Sequence, residues 1–340
     1  MVSSHTPGVL KSQDESQRTD ISSSDLTLTI HDQLDQIDQA QWNRLVPDDT
    51  PMLRHEFLQA LESSGAVCRD TGWKPCHLGL TRDDRLVAAV PCYLKSHSYG
   101  EFIFDWAWAR AYQQSGLEYY PKLLVAVPFT PVTGRRLLTD PQHDTDQLAP
   151  VLVSGLRTLA EKLEVSSVHC LFSTSSDNRY FRDFDFVDRT SHQFHWQNNG
   201  YQDFHDFLGS LSSKKRKNIT RERRRVREAG IRMSWLDQSE VTDQTVDFFF
   251  ACYRNTIAEH GSYLYLNRDF FQSVCTNLPD HVRMLVAEKD GNPVAAAFFL
   301  CGQHSLYGRY WGALEWIPDL HFETCYYQAI QFSDHCYGGS

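Results

Sequence analysis

Three stretches of the sequence hold side chains whose types and spacing suit chemistry. From Lys214 to Arg227, nine of fourteen residues are Lys or Arg, in a chain of formal net charge -10. Cations at this density displace counterions from phosphates, a contact that weakens steeply with salt. Lys214, Lys215, Arg216, Lys217, Arg221 and Arg224 are the candidate polyanion contacts. The second stretch is PFTPVTGRR at 128–136, where two prolines and a glycine stiffen a loop bearing Thr130, Thr133, Arg135 and Arg136. Hydroxyls and guanidiniums so close together suit a phosphate or carboxylate, and a plain structural turn is the alternative. The third is GRYWG followed by DLHFETCYYQ, which sets His321 and Glu323 at the start of a helix just after a strand. Both can carry a proton. In the alternative, Glu323 complements the helix dipole and His321 fills a turn. Tyr310 and Trp311 on the strand and Tyr326 and Tyr327 on the helix can line a pocket or belong to the core, while Arg309 alternates with Tyr310 as a candidate anion contact. His260, in HGSYLYL, is a further substrate-side candidate.

The elements that carry these residues can be read from spacing. Ser212 and Ser213 suit a helix N-cap and Gly230 a C-cap, so 212–230 reads as one helix. Its apolar residues Leu211, Ile219 and Val226 form one narrow stripe. From Lys214 to Glu228 the local balance is +7, which leaves -17 for the remainder. Repulsion within such a run makes stability alone a poor explanation, and pairing with the acidic remainder is the alternative to a polyanion. RNA fits better than DNA, because a uniformly basic helix reads backbone and shape rather than base edges.

The chain also repeats itself. HEFLQALESS, CHLGLT, a turn at Asp83 and Asp84, LVAAVPCYL and EFIFDWAWA are matched about 210 residues later by RDFFQSVCTN, RMLVAE, KDGN, PVAAAFFLC and SLYGRYWG. Helix, strand, tight turn, strand, strand is thus expected twice. The fold class that follows is α/β (α+β), a tandem duplication with mixed sheets and a basic helix between the halves or on the second. The expected division is a disordered tail at 1–24, a first domain at 25–190 with helices near 34–44, 52–64 and 145–164, and a second at 191–340. With 41% hydrophobic residues the halves have enough apolar surface to fold without staples. No apolar run reaches the roughly 20 residues a membrane helix needs. Nine cysteines without a CxxC pair suggest reduced thiols in a cytoplasmic protein, and no metal site is expected.

HWQNNGYQDFHDFLGSLSSKKRKNITRERRRV, PFTPVTGRRLL and GRYWGALEWIPDLHFETCYYQAI together resemble the FemAB-like predicted N-acyltransferases of the GNAT superfamily. The resemblance spans about residues 50–332. It implies two GNAT-like domains and acyl transfer to an amine. It also implies a donor that is an aminoacyl-tRNA or an acyl-CoA, no permanently bound cofactor, and an acceptor related to a peptidoglycan precursor. His321 or Glu323 would then take the amine proton, with Tyr326 beside them. Two departures stand out. The superfamily's pyrophosphate loop, Q/R-x-x-G-x-G/A, is matched only by Arg309 to Leu314, without the last small residue. Family members also continue into further strand where this chain stops at SDHCYGGS, so a truncated second domain is expected. The rival functions are a non-catalytic RNA-binding or envelope-recognition protein on the same fold, and an acyl-CoA-dependent N-acetyltransferase of a small amine.

Overall fold

The computed structural model describes residues 18–19 and 25–337. The expected tail at 1–24 therefore lies outside the described residues, apart from β1 (Arg18–Thr19), which pairs with Thr29 and Leu28 of β2 (Leu26–His31). Next come α1 (Gln39–Leu45), capped by the Asp38 carboxylate, and α2 (His55–Ser63). The strands β3 (Trp73–Pro75), β4 (His77–Arg82), β5 (Arg85–Val90) and β6 (Cys92–Lys95) follow. Asp83 and Asp84 both take positive φ, which a two-residue hairpin turn requires. The first half closes with α3 (Trp106–Gln114), β7 (Lys122–Val125), β8 (Leu138–Thr139), α4 (Thr145–Lys162), β9 (Val168–Cys170) and α5 (Ser175–Arg182).

These strands form two sheets, ordered β1-β2-β4-β5-β8 and β3-β6-β7-β9. Pro91 stands where LVAAVPCYL passes from one to the other, since a residue without an N–H cannot continue a central ladder. β7 and β9 run parallel, and the other neighbours are antiparallel.

An irregular, mostly exposed stretch leads to α6 (Phe204–Ser210), α7 (Ser213–Glu228), β10 (Ile231–Leu236), α8 (Asp243–Glu259) and α9 (Arg268–Asn277). One antiparallel sheet then follows in the order β10-β11-β12-β13, from β11 (Val282–Lys289), β12 (Asn292–Cys301) and β13 (Leu306–Ala313). A broken helix ends the half: α10 (Leu320–Phe322), a π-helical turn (Glu323–Tyr327) and α11 (Gln328–Tyr337).

The repeat holds for four of its five parts, α2-β4-turn-β5 against α9-β11-turn-β12. It fails at the fifth. SLYGRYWG is β13, whereas EFIFDWAWA, expected as a strand, is a loop that runs into α3. Gly100 and Phe102 both take positive φ there, and the buried Glu101 and Asp105 are drawn inward to Lys122. The alternating Ala residues of WAWARA then favour a helix.

The halves share one core. α2 packs on α9, with the Phe57 and Phe270 rings edge to face at 5.4 Å, and a single apolar cluster contains Leu58, Leu61, Phe271 and Val274 from both. Asp49 adds a polar tie: its carboxylate accepts from His304 N at 2.7 Å and from the Ser305 hydroxyl, and its carbonyl accepts from Tyr307 Oη at 2.7 Å. Because the core is continuous, Phe270→Ala should cost about 3–5 kcal/mol, and both halves should unfold together. Urea denaturation followed by circular dichroism and by fluorescence checks this, since two separated transitions would contradict a shared core.

Candidate active site

The expected basic helix is α7. The Ser212 hydroxyl accepts from Lys215 N at 3.4 Å at its start, and Gly230, at φ 75, turns the chain after its end. Val226 is buried and Ile219 half-buried, as the narrow stripe predicts. Arg223 lies four residues after Ile219 and three before Val226, so it shares this inward face. Its guanidinium grips Glu323, with Nε at 3.2 and 3.1 Å from the two carboxylate oxygens and Nη2 at 3.0 Å from Oε1, and Nη2 also donates to Gln331 Oε1 at 2.9 Å. Arg225 pairs with Asp319 at 2.7 Å, and the Tyr327 hydroxyl donates to Glu222. Pairing with the acidic remainder therefore describes Arg223 and Arg225.

It does not describe the six candidate polyanion contacts. Lys214, Lys215, Arg216, Lys217, Arg221 and Arg224 are all exposed. Among the described residues, Arg216 reaches only Gly209 O at 3.4 Å, Arg221 only Asn218 Oδ1 at 3.3 Å, and Arg224 only Glu228 at 3.6 Å. Such exposed contacts restrain the side chains little.

The element facing α7 is the broken helix. Asp319 begins it in a left-handed conformation, at φ 64. The π-helical turn then shifts the register, a distortion often found at functional positions. Glu323, Thr324 and Tyr327 point inward, while His321, Phe322 and Tyr326 are exposed. A cavity of about 410 Å³ opens between α6, α7, β10 and the turn, with Phe204, Val226, Ile231 and Met233 as apolar walls and the Arg223–Glu323 pair on one side. The Phe204 ring lies 4.4 Å from the Arg223 guanidinium.

His321 and Glu323, candidates for the same role, thus have different surroundings. Glu323 accepts from Arg223 and, at 2.7 Å, from Gln328 Nε2, so its carboxylate is held by donors of its own chain. The His321 ring lies 4.9 Å from Trp311 and 5.7 Å from Tyr326. Partial desolvation lowers its pKa from the ordinary histidine value, and nearby His260 lowers it further, which favours the neutral, proton-accepting form. The structure brings His321, Trp311 and Tyr326 together, with His260 close enough to act electrostatically on His321. Tyr327 is turned inward against Phe204, with ring centroids 6.1 Å apart.

Arg309 and Tyr310 lie elsewhere, at the junction of the halves. Arg309 Nη2 donates to Phe129 O at 2.7 Å, its guanidinium lies 5.0 Å from the Tyr310 ring, and Tyr310 packs against Phe271 at 5.4 Å. Tyr310 Oη and Arg309 Nε are buried without a hydrogen-bond partner among the described residues.

The PFTPVTGRR loop divides in two. Thr130 is buried and donates to Pro128 O, and the buried Arg136 guanidinium donates to the carbonyls of Leu171 at 2.9 Å, Arg135 at 3.1 Å and Val132 at 2.7 Å. The structural turn is the reading that fits these two, since backbone carbonyls occupy the groups expected to meet an anion. Thr133 is exposed, and Arg135 is half-exposed with Thr139 Oγ1 at 3.2 Å.

The Arg309–Leu314 stretch is likewise not a phosphate cradle. A Cβ on Gly312 would come 2.1 Å from Cys252 O, so this glycine lets α8 lie flush on β13. The Ala313 N–H donates to Thr256 Oγ1 at 3.3 Å and the Leu314 N–H to Val294 O at 2.8 Å. Neither is left to hold a pyrophosphate. Among the described residues, ligand atoms of Asp203, His205 and Asp206 come together at the exposed start of α6, where Asp203 already caps the helix.

Comparison with known proteins gives the family and the fold. The family model described as FemAB-like, peptidoglycan biosynthesis/recognition, matches residues 33–335. The chain belongs to the FemAB-like family. Among solved structures, FemX aligns with TM-score 0.51 at 9% identity, covering 88% of this chain and 85% of FemX. The C-terminal domain of a protein designated a lysylphosphatidylglycerol synthetase, from Agrobacterium fabrum, aligns with TM-score 0.48 at 10% identity, over 87% of this chain and 74% of that one. A tandem GNAT protein from the clavulanic acid biosynthesis pathway gives 0.42 at 10% identity, over 90% and 85%. No curated protein matches the chain. The FemAB-like chain has the expected mixed α/β fold, shared with FemX, and its basic helix lies beside the sheet β10-β11-β12-β13.

Sequence reasoning missed Arg223, Glu222, Arg225 and Asp319. The signal for Arg223 was present, because a cation placed on the apolar stripe of a helix must meet a buried partner. Arg223→Ala should destabilise the protein by roughly 2–4 kcal/mol, less than for a fully enclosed pair because Arg223 keeps some solvent contact. Replacing both partners by Leu should recover much of the loss in a thermal or urea melt. His260→Ala should raise the His321 pKa, since it removes the electrostatic influence that lowers it. Imidazole titration by NMR checks this, and a wild-type midpoint at or above the ordinary histidine value would contradict the site described.

Proposed function

We propose that this FemAB-like protein transfers an aminoacyl group from an aminoacyl-tRNA to an amine of a peptidoglycan-related acceptor, working through two units at 25–190 and 191–340. The observation that carries this reading is a mounting. The exposed cations of α7 are fixed, through Arg223–Glu323 and Arg225–Asp319, to the same broken helix that displays His321. A phosphate backbone held on α7 is thereby registered against the His321 imidazole.

In this mechanism His321 accepts a proton from the acceptor amine as its nitrogen attacks the ester carbonyl carbon. The carbon–oxygen bond to the ribose then breaks, and the ribose hydroxyl takes up a proton. Tyr326, beside His321, can donate to the carbonyl oxygen as negative charge develops there. An acyl-CoA donor is less well supported, because the backbone N–H groups of 313 and 314 are bonded within the chain. The rival from another class, recognition of RNA or envelope material without chemistry, is favoured by the occupied carboxylate of Glu323.

Two measurements separate them. With charged tRNA and a muropeptide amine as substrates, His321→Ala should lower kcat by roughly 10²–10⁴-fold and leave tRNA binding unchanged. In a salt series, replacing Lys214, Lys215, Arg216 and Lys217 by Ala should flatten the log–log slope of tRNA binding by roughly 0.7–0.9 for each phosphate no longer neutralised. Binding without turnover in the wild type would favour recognition, and no binding near physiological salt would overturn the donor assignment.

A further inference from the structure

The segment 96–117 turns its largest apolar side chains outward. α3 buries none of its residues, although a helix this short usually depends on a buried face. Trp108 is 60% exposed, Phe104 48% and Phe102 47%, and Tyr263 from the loop after α8 is 68% exposed. The rings form a continuous strip: Phe104 stacks on Trp106 at 5.7 Å, Trp106 meets Tyr99 at 5.1 Å, and Tyr99 meets Tyr263 at 5.3 Å. Phe102 holds its exposed ring on a left-handed backbone, at φ 61, a conformation unfavourable for a bulky residue.

The charges of the strip are arranged in keeping with its rings. Its two acids, Glu101 and Asp105, are buried, and both meet Lys122 Nζ, Glu101 at 2.8 Å. Asp105 also pairs with Arg189 at 2.9 Å. What reaches solvent is cationic, namely Arg110 on α3 and the outer part of Arg189. Exposed carboxylates stand at its margins, Glu118 past the end of the helix, Asp188 beside Arg189 and Glu259 four residues before Tyr263. In a chain of net charge -10, a segment that conceals its carboxylates is a local exception.

We propose that this strip docks the protein on an anionic lipid surface. Trp and Tyr rings, apolar with a polar edge, settle at the headgroup level of a bilayer, and the negative surface potential attracts the cations beside them. No described helix is long and apolar enough to cross a membrane, so the strip lies on the surface rather than through it. A second copy of the chain is a poorer occupant, because it would set Arg110 and Arg189 against their like. None of the residues assigned to acyl transfer belongs to the strip, so lipid docking stands apart from that reading.

The test is co-sedimentation of the full chain with vesicles of phosphatidylcholine and phosphatidylglycerol at about 3:1, and of phosphatidylcholine alone. The wild type should bind the anionic vesicles preferentially. Trp106→Ala with Trp108→Ala should lower partitioning roughly tenfold or more with only a small change in melting temperature, since neither ring belongs to the core, while the Phe pair at these positions should restore binding. The variant with Lys214, Lys215, Arg216 and Lys217 changed to Ala should still bind, which separates the strip from simple adsorption through α7. The proposal is overturned if the wild type stays in the supernatant, if the Trp-to-Ala pair binds as well as the wild type, if the lysine-helix variant alone abolishes binding, or if sedimentation velocity shows a dimer that the Trp-to-Ala pair dissolves.

Discussion

The Arg223–Glu323 pair is the interaction on which the second half of the molecule turns. A carboxylate inside a π-helical turn has few donors within its own helix, and here a guanidinium from a different helix meets both of its oxygens. That contact fixes the rotation of α7 about its axis. Once Arg223 faces inward, the helical period sends the cations along the flanks of the helix outward to solvent. One buried pair thus determines where the exposed positive surface lies.

The same contact divides the broken helix into two faces. Glu323, Thr324 and Tyr327 serve packing and polar closure toward α7, while His321, Phe322 and Tyr326 remain at the surface. Sequence neighbours two residues apart therefore have unlike chemistry. Glu323 is an anchoring carboxylate, and His321 is an imidazole beside aromatic rings, with its proton affinity reduced by partial desolvation and by His260.

Much of this could be read from the sequence, for physical reasons that differ by element. α7 was legible because its caps and stripe are local features, and its observed bounds, Ser213–Glu228, fall just inside the expected 212–230. The paired helices α2 and α9 and the hairpins after them were legible because hydrophobic periodicity and turn residues act over a few positions. EFIFDWAWA misled because alternating apolar residues suit a strand equally well, and only the distant Lys122 decides that Glu101 and Asp105 turn inward. Arg136 misled for a related reason: a guanidinium near two threonines suggests an anion, yet three backbone carbonyls, one of them Leu171 far along the chain, claim it. Gly312 looked like a remnant of a phosphate loop because packing of α8 and anion binding both demand a residue without Cβ. Local patterns report elements well, but the partner of a buried polar group is a property of the fold.

The strand β13 is tied to the first half at its start, through Asp49 at residues 304–307, and at its middle, through Phe129 O at Arg309. It behaves as a crossbeam. With a continuous apolar core alongside it, the two halves have no plane along which to swing apart, and hinge closure of the kind many two-lobed proteins use would have to break these ties. Changes of shape therefore fall to side chains and surface loops rather than to movement of one half against the other.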